Sequence, residues 1–370
     1  APGGLGAAGF PRPHPIFTGR ATDSGKIWLT WLSGHARAKP RAPAQPRSAM
    51  WQEDPTYEPP FPLGNGHLAT VLPALSRRVE GPDYLRRSLE TPDGDFLDLD
   101  LALGGNDRAV VLCHGLEGSA ARPYMRGMAR HLRARGWDVV AMNYRGCGGR
   151  PNRLPGSYHS GATGDLDLVV RHVAAKGYGR VALAGFSLGG NLALQYAGER
   201  GAGGLPPQLR AVAAVSAPCD LAESSARMEL PANRLYKANF FRDFARKVEL
   251  KAQMFPHAHD WQRFGRLRTF REFDHHFTAP LHGFESADDY YRRCSCLGRL
   301  DGITLPSLLL SAQDDPFLGP NCFPWDAAGR NPKLRILAPK HGGHVGFATR
   351  GKGGVFFSEK IVADFFDTFA

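Results

Sequence analysis

Long apolar runs are missing from this 370-residue chain. Nowhere do about 18 apolar residues follow one another, which excludes the sequence pattern of a membrane-spanning helix. Cysteine is scarce, at six residues. None forms a C-x-x-C pair, and the nearest two, Cys294 and Cys296, stand two apart. That excludes a disulfide framework and a structural zinc knuckle, and predicts reduced, buried thiols in a cytoplasmic protein. No complete G-x-x-x-x-G-K-[ST] phosphate loop occurs; the run Gly346 to Lys352 is followed by Gly353 rather than Ser or Thr. A His-x4-Asp acyltransferase box is absent too, which counts against transacylation. Histidine and carboxylate mix in Glu272-Phe273-Asp274-His275-His276 and in His257-Ala258-His259-Asp260. Neither run has the spacing of a defined ligand set, so no metal and no cofactor are expected. Acidic residues are in short supply only at the start. Residues 1–49 hold seven basic residues and one acid, Asp23, and carry six of the net +11 charges. The basicity is therefore local, and a nucleic-acid partner is not expected.

What is present is the composition of a globular protein, 42% hydrophobic and 22% charged. Residues 1–49 depart from it. They are rich in Ala, Gly and Pro, lack sustained periodicity, and cannot bury enough apolar surface to offset chain entropy. They are expected to be disordered. A transit peptide is one reading of them; the other, preferred here, is that the functional protein begins near Met50, where composition becomes ordinary.

From residue 50 the chain reads as one domain. Residues 50–95 suggest a strap with a short helix. Leu97, Leu99, Leu101 and Leu103 alternate with Asp98, Asp100 and Ala102, the period of a half-buried strand at a sheet edge. Further strands are expected at 109–113, 137–143, 180–186, 211–216, 305–311 and 334–337. Helices are expected at 123–135, 165–176, 188–200 and 355–369. Strands alternating with helices predict an α/β fold with a mostly parallel, doubly wound sheet. The rhythm breaks between about 219 and 300, in an aromatic and charged stretch best read as an inserted helical cap. Its phenylalanines are expected to be mainly core, with part of them lining an acyl-chain pocket.

Gly185-Phe186-Ser187-Leu188-Gly189 is a G-x-S-x-G run between an apolar strand and a helix. Such a turn projects the serine oxygen above the sheet, and its glycines let backbones approach. A serine hydroxyl needs a base, and the base needs an orienting group. Asp314 and Asp315 follow the apolar strand that ends at Ser311. Asp315 is preferred as the orienting acid, but spacing leaves Asp314 open. His341-Gly342-Gly343-His344 precedes the last helix, and His344 is the preferred base. The loop His114-Gly115-Leu116 follows a strand, so the Leu116 and Leu188 backbone N–H groups are the expected oxyanion donors. Arg145 and Arg150 are either structural, the preferred reading, or meet a polar head group.

These elements resemble the α/β-hydrolase superfamily. Longer strings are similar to its YheT/EMB8-like branch: Gly64 to Thr70 (GNGHLAT), Asn143 to Arg153 (NYRGCGGRPNR), Tyr158-His159-Ser160-Gly161, Gly185 to Asn191 (GFSLGGN) and His341 to Phe347 (HGGHVGF), with Glu272-Phe273-Asp274 and Thr278 to Phe284. The resemblance spans about residues 55–370. It implies a hydrolase of carboxylic esters, short- to medium-chain acyl or acylglycerol-like, with Ser187, Asp315 and His344 as its triad. Thioester hydrolysis or acyl transfer on the same three residues is the alternative, and a non-catalytic binding protein the more distant one.

Overall fold

The computed structural model describes residues 56–350 and 354–370; the expectations for residues 1–49 and Met50 lie outside them. Eight strands form one sheet: β1 (Leu85–Glu90), β2 (Phe96–Ala102), β3 (Arg108–Cys113), β4 (Asp138–Asn143), β5 (Arg180–Phe186), β6 (Leu209–Val215), β7 (Ser307–Leu310) and β8 (Leu334–Leu337). They lie in the order β1-β2-β4-β3-β5-β6-β7-β8. The first two pairings are antiparallel and the remaining ones parallel. The central strands are continuous apolar runs, such as Val110-Val111-Leu112, because helices cover both of their faces.

The helices that build the sheet layers are α1 (Gly66–Ser76), α2 (Pro123–Ala134), α3 (Thr163–Ala174) and α4 (Leu188–Gly204). One face of the sheet packs Met125, Met128 and Leu132 of α2 against Ile361, Val362 and Phe366 of the last helix. Between β6 and β7 the chain leaves the sheet. It forms α5 (Leu221–Met228), α6 (Arg234–Met254), a helical stretch over 270–281 and α7 (Ala287–Cys294). After β7 come α8 (Trp325–Arg330) and α9 (Phe357–Phe369).

One expectation needs correcting. The leucine-alternating strand β2 is neither half-buried nor at the edge: all seven of its residues are buried and it lies second in the sheet. The edge is β1, whose sequence Leu-Arg-Arg-Ser-Leu-Glu carries no apolar pattern. Polar partners hide the aspartates of β2. Arg150 and Ser88 bond Asp98, and Arg86 and Asn143 bond Asp100. Alternation thus reports two chemically different buried faces rather than one wet face. Arg145 and Arg150 both make ion pairs within the fold, Arg150 with Asp98. Arg145 forks onto both Asp165 oxygens at 2.7 and 2.6 Å and pairs with Asp93. Among the described residues no helix is long and apolar enough to cross a membrane. Among them, too, no group of three His, Cys, Asp or Glu is placed to hold a metal.

Candidate active site

Ser187 stands between the end of β5 and the first residue of α4, with φ 52° and ψ −121°. That left-handed conformation costs a non-glycine residue energy, so surrounding structure must impose it. A methyl group on Gly185 would overlap the Gly189 carbonyl, and one on Gly189 would stand 2.5 Å from the Cys113 carbonyl oxygen. Both flanking glycines are thus set by close backbone approach. The Ser187 N–H donates to the Val215 carbonyl at 2.8 Å, which ties the turn to β6.

His344 brings its Nε2 within 2.9 Å of Ser187 Oγ and its Nδ1 within 2.8 Å of Asp315 Oδ2. The Asp315 side chain is fully buried and accepts the Phe317 N–H at its other oxygen, 2.9 Å away. An ionised carboxylate only accepts, so Nδ1 of His344 is the protonated nitrogen and Nε2 is free to accept from the serine. Asp314 turns elsewhere. Its carboxylate bonds the Gly343 N–H at 2.9 Å and lies 3.3 Å from His341 Nδ1, bracing the histidine loop. The structure thus places Asp315, not Asp314, on His344. Thr70 of α1 accepts the His344 N–H at 2.8 Å. Gly66 of the same helix packs so closely on the Asp314 backbone that a methyl would overlap its carbonyl. The GNGHLAT string therefore seats the loops that carry Asp315 and His344.

The loop after β3 approaches the serine from the other side. A methyl on Gly115 would lie 3.1 Å from Ser187 Cβ. The Gly115 N–H donates to the Tyr124 hydroxyl at 2.9 Å. His114 is buried; its Nδ1–H donates to the Gly115 carbonyl and its Nε2 accepts the Tyr144 N–H. Burial pushes its pKa down to about 3, so the ring is neutral and acts as a fixed brace. Glu117 has φ 50°; it accepts from Tyr158 Oη and Lys247 Nζ, both at 2.8 Å. Leu116 and Leu188 line the same cavity as Ser187 and His344. Sequence reading assigned no role to Thr70, Tyr124, Glu117, Tyr158 or Lys247. The GNGHLAT and Tyr158-His159-Ser160-Gly161 strings were the signals that could have pointed to two of them.

Residues 108–350 match the family described as the α/β hydrolase fold. The chain belongs to that family. It is 38% identical to YheT of Escherichia coli strain K12, over 77% of this chain and 85% of YheT. It is 31% identical to phospholipase ABHD3 of Mus musculus, over 79% of this chain and 73% of the relative. Among solved structures, the esterase Pf2001 of Pyrococcus furiosus aligns with a TM-score of 0.53 at 18% identity, over 79% of this chain and 95% of that one, a likeness of fold alone. The hydrolase lies in the YheT/EMB8-like branch and is a carboxylic ester hydrolase.

In this hydrolase the helical insertion and the loops above the sheet form a half-open cavity of about 190 Å³ lined by Ser187 and His344. Phe240, Phe244, Phe270, Phe273 and Phe277 face it, while Phe241 and Phe264 pack behind them in the insertion's own aromatic core. Asn191 of α4 anchors the insertion. Its amide donates to the Ser160 and Cys294 carbonyls and accepts the Cys296 N–H.

Proposed function

We propose that Ser187, His344 and Asp315 are the nucleophile, base and orienting acid of this ester hydrolase. His344 Nε2 takes the Ser187 proton as the oxygen attacks the ester carbonyl. Asp315 holds the imidazole tautomer and stabilises its charged form. The Leu116 and Leu188 amides receive the oxyanion. His344 then protonates the departing alcohol and activates the water that cleaves the acyl-enzyme. The observation that carries this reading is the unbroken chain Ser187 Oγ–His344 Nε2 at 2.9 Å and His344 Nδ1–Asp315 Oδ2 at 2.8 Å.

The insertion between β6 and β7 serves as the cap, and its phenylalanines favour short- to medium-chain acyl esters or acylglycerol-like lipids as substrates. A cytoplasmic location accords with six cysteines that form no disulfide. The test is hydrolysis of p-nitrophenyl esters from acetyl to palmitoyl by the wild type and Ser187→Ala. Activity that rises and falls with chain length, and disappears in the variant, is expected. Equal rates in both proteins would refute the serine's role.

A further inference from the structure

The cavity holds a carboxylate that ester cleavage by Ser187, His344 and Asp315 does not use. Asp274 opens a π-helical turn, Asp274–Thr278, between two short α-helical segments. Such turns are rare and recur at functional sites. Asp274 is half-buried and faces the same cavity as Ser187 and His344.

Among the described residues its two oxygens each accept one hydrogen bond. Thr278 Oγ1 donates to Oδ1 at 2.6 Å, and Tyr291 Oη donates to Oδ2 at 2.7 Å. Each oxygen keeps a further accepting position. Among the described residues no cation pairs with Asp274; the guanidinium of Arg271, three residues away, is committed to Asp288. Burial pushes the carboxyl pKa up to about 6, against the pull of the two hydroxyl bonds. The two hydroxyl donors favour the charged form, which stands beside Phe273 and Phe277, where an unpaired charge is costly.

We propose that Asp274 is a specificity residue, accepting a hydrogen bond from a hydroxyl on the acyl chain of the substrate ester. The hydrolase then selects hydroxyacyl esters over plain acyl esters of equal length. The inference rests on the ester-hydrolase reading with Ser187 as nucleophile. A hydroxyl fits better than an ammonium. The groups bonded to Asp274 are neutral hydroxyls, and a permanent cation would lose its hydration with Asp274 alone to offset the loss, since Glu117 of the same cavity is already paired with Lys247. A hydroxyl loses far less and gains a charge-assisted bond. The acyl side fits better than the alcohol side because the chamber is walled by phenylalanines. Across the wall formed by Tyr158, His159 and His282 lies a second cavity, of about 580 Å³, whose polar groups Asp93, Arg145 and Asp165 are paired with one another.

The experiment compares kcat/KM for p-nitrophenyl alkanoates and hydroxyalkanoates of equal length, with the hydroxyl moved along the chain. Alkanoate esters carrying a hydroxyl on the alcohol form a second arm. Wild type is expected to prefer one acyl hydroxyl position by about 10- to 100-fold, the discrimination of a hydrogen bond to a charged group. In Asp274→Leu, which removes both accepting oxygens at similar volume, that ratio is expected to collapse toward one, whatever the change in absolute rate. A purely structural role would lower both rates and leave the ratio intact. Equal rates at every hydroxyl position in wild type would overturn the proposal. So would a preference that survives in Asp274→Leu, or one confined to the alcohol. If Asp274→Leu does not fold, Asp274→Asn decides, because it keeps one accepting oxygen but removes the charge. A preference reduced severalfold supports the role, and an unchanged one sinks it. Wild type inactive on all these esters would instead count against the Ser187 reading itself.

Discussion

The Thr70 hydroxyl accepts the main-chain N–H of His344, 274 residues later in the chain, at 2.8 Å, while donating to Gly66 O at 2.6 Å. One buried hydroxyl thus ties the helix Gly66–Ser76 to the backbone that carries the imidazole beside Ser187. Thr70→Val keeps the shape but leaves a buried N–H without its acceptor, a loss of about 1–3 kcal/mol. Because His344 then has freedom to leave Ser187, kcat is expected to fall by about tenfold or more with KM little changed. Steady-state kinetics on one ester checks this, and an unchanged kcat would show that the loop holds itself.

Asp314 and Asp315 are neighbours in sequence with different partners. Asp315→Asn is expected to lower kcat by about 10⁴-fold, because the amide no longer enforces the working tautomer of His344. Asp314→Asn keeps a carbonyl oxygen for the Gly343 N–H and should cost less than about tenfold. Reversed magnitudes in the two single variants would exchange their roles.

The turn at Ser187 has no room for a side chain at Gly185, where a methyl would meet the Gly189 carbonyl. Gly185→Ala must displace backbone, and overpacking of this kind costs about 1–3 kcal/mol or more. A melting temperature lowered by several degrees is expected, together with loss of esterase activity, since the strained Ser187 conformation depends on the turn. Calorimetry of the variant measures the first effect directly.

One buried histidine and two half-buried ones make stability sensitive to acid. Burial depresses His114 and His159 to about 3, and burial together with the Arg145 charge depresses His282 to about 4. A folded-state pKa below the unfolded value of about 6.5 means stability that is complete above that value and lost as pH falls toward the folded one. For His114 the loss reaches about 2 kcal/mol at pH 5. Melting temperature should therefore drop between pH 6.5 and pH 4, before most carboxylates protonate. His114→Gln should flatten that slope. Asp95 and Asp98 add a later step. Burial raises both, yet hydrogen bonds from Asn152 and the Arg153 and Phe96 amides on Asp95, and from Arg150 and Ser88 on Asp98, hold them below the ordinary range. Their contribution is present above the unfolded carboxylate value and disappears as pH falls through the depressed one. A melting curve flat from pH 7 to pH 4 would contradict the histidine assignment.

Much of the framework was legible in local pattern. The strands at 180–186 and 334–337 were read with the boundaries that the structure gives them. A strand buried on both faces needs a continuous apolar run, and such runs are visible without any fold. β1 escaped because an edge strand needs no apolar face, and its Arg86 answers to Asp100 on another strand. The burial of β2 was misread for the same reason, since the partners that hide Asp98 and Asp100 lie far along the chain.

By itself, the sequence determined the tight turn at Ser187, because glycine spacing and the strand-to-helix change are local steric facts. It also determined that a histidine loop and an acid loop would follow that turn in order. Only the tertiary structure decided which aspartate meets His344, since adjacent side chains diverge and spacing cannot tell them apart. It alone placed Thr70 under His344 and Asp274 in the cavity. Those contacts join residues from different elements, and packing, not local preference, brings them within bonding distance.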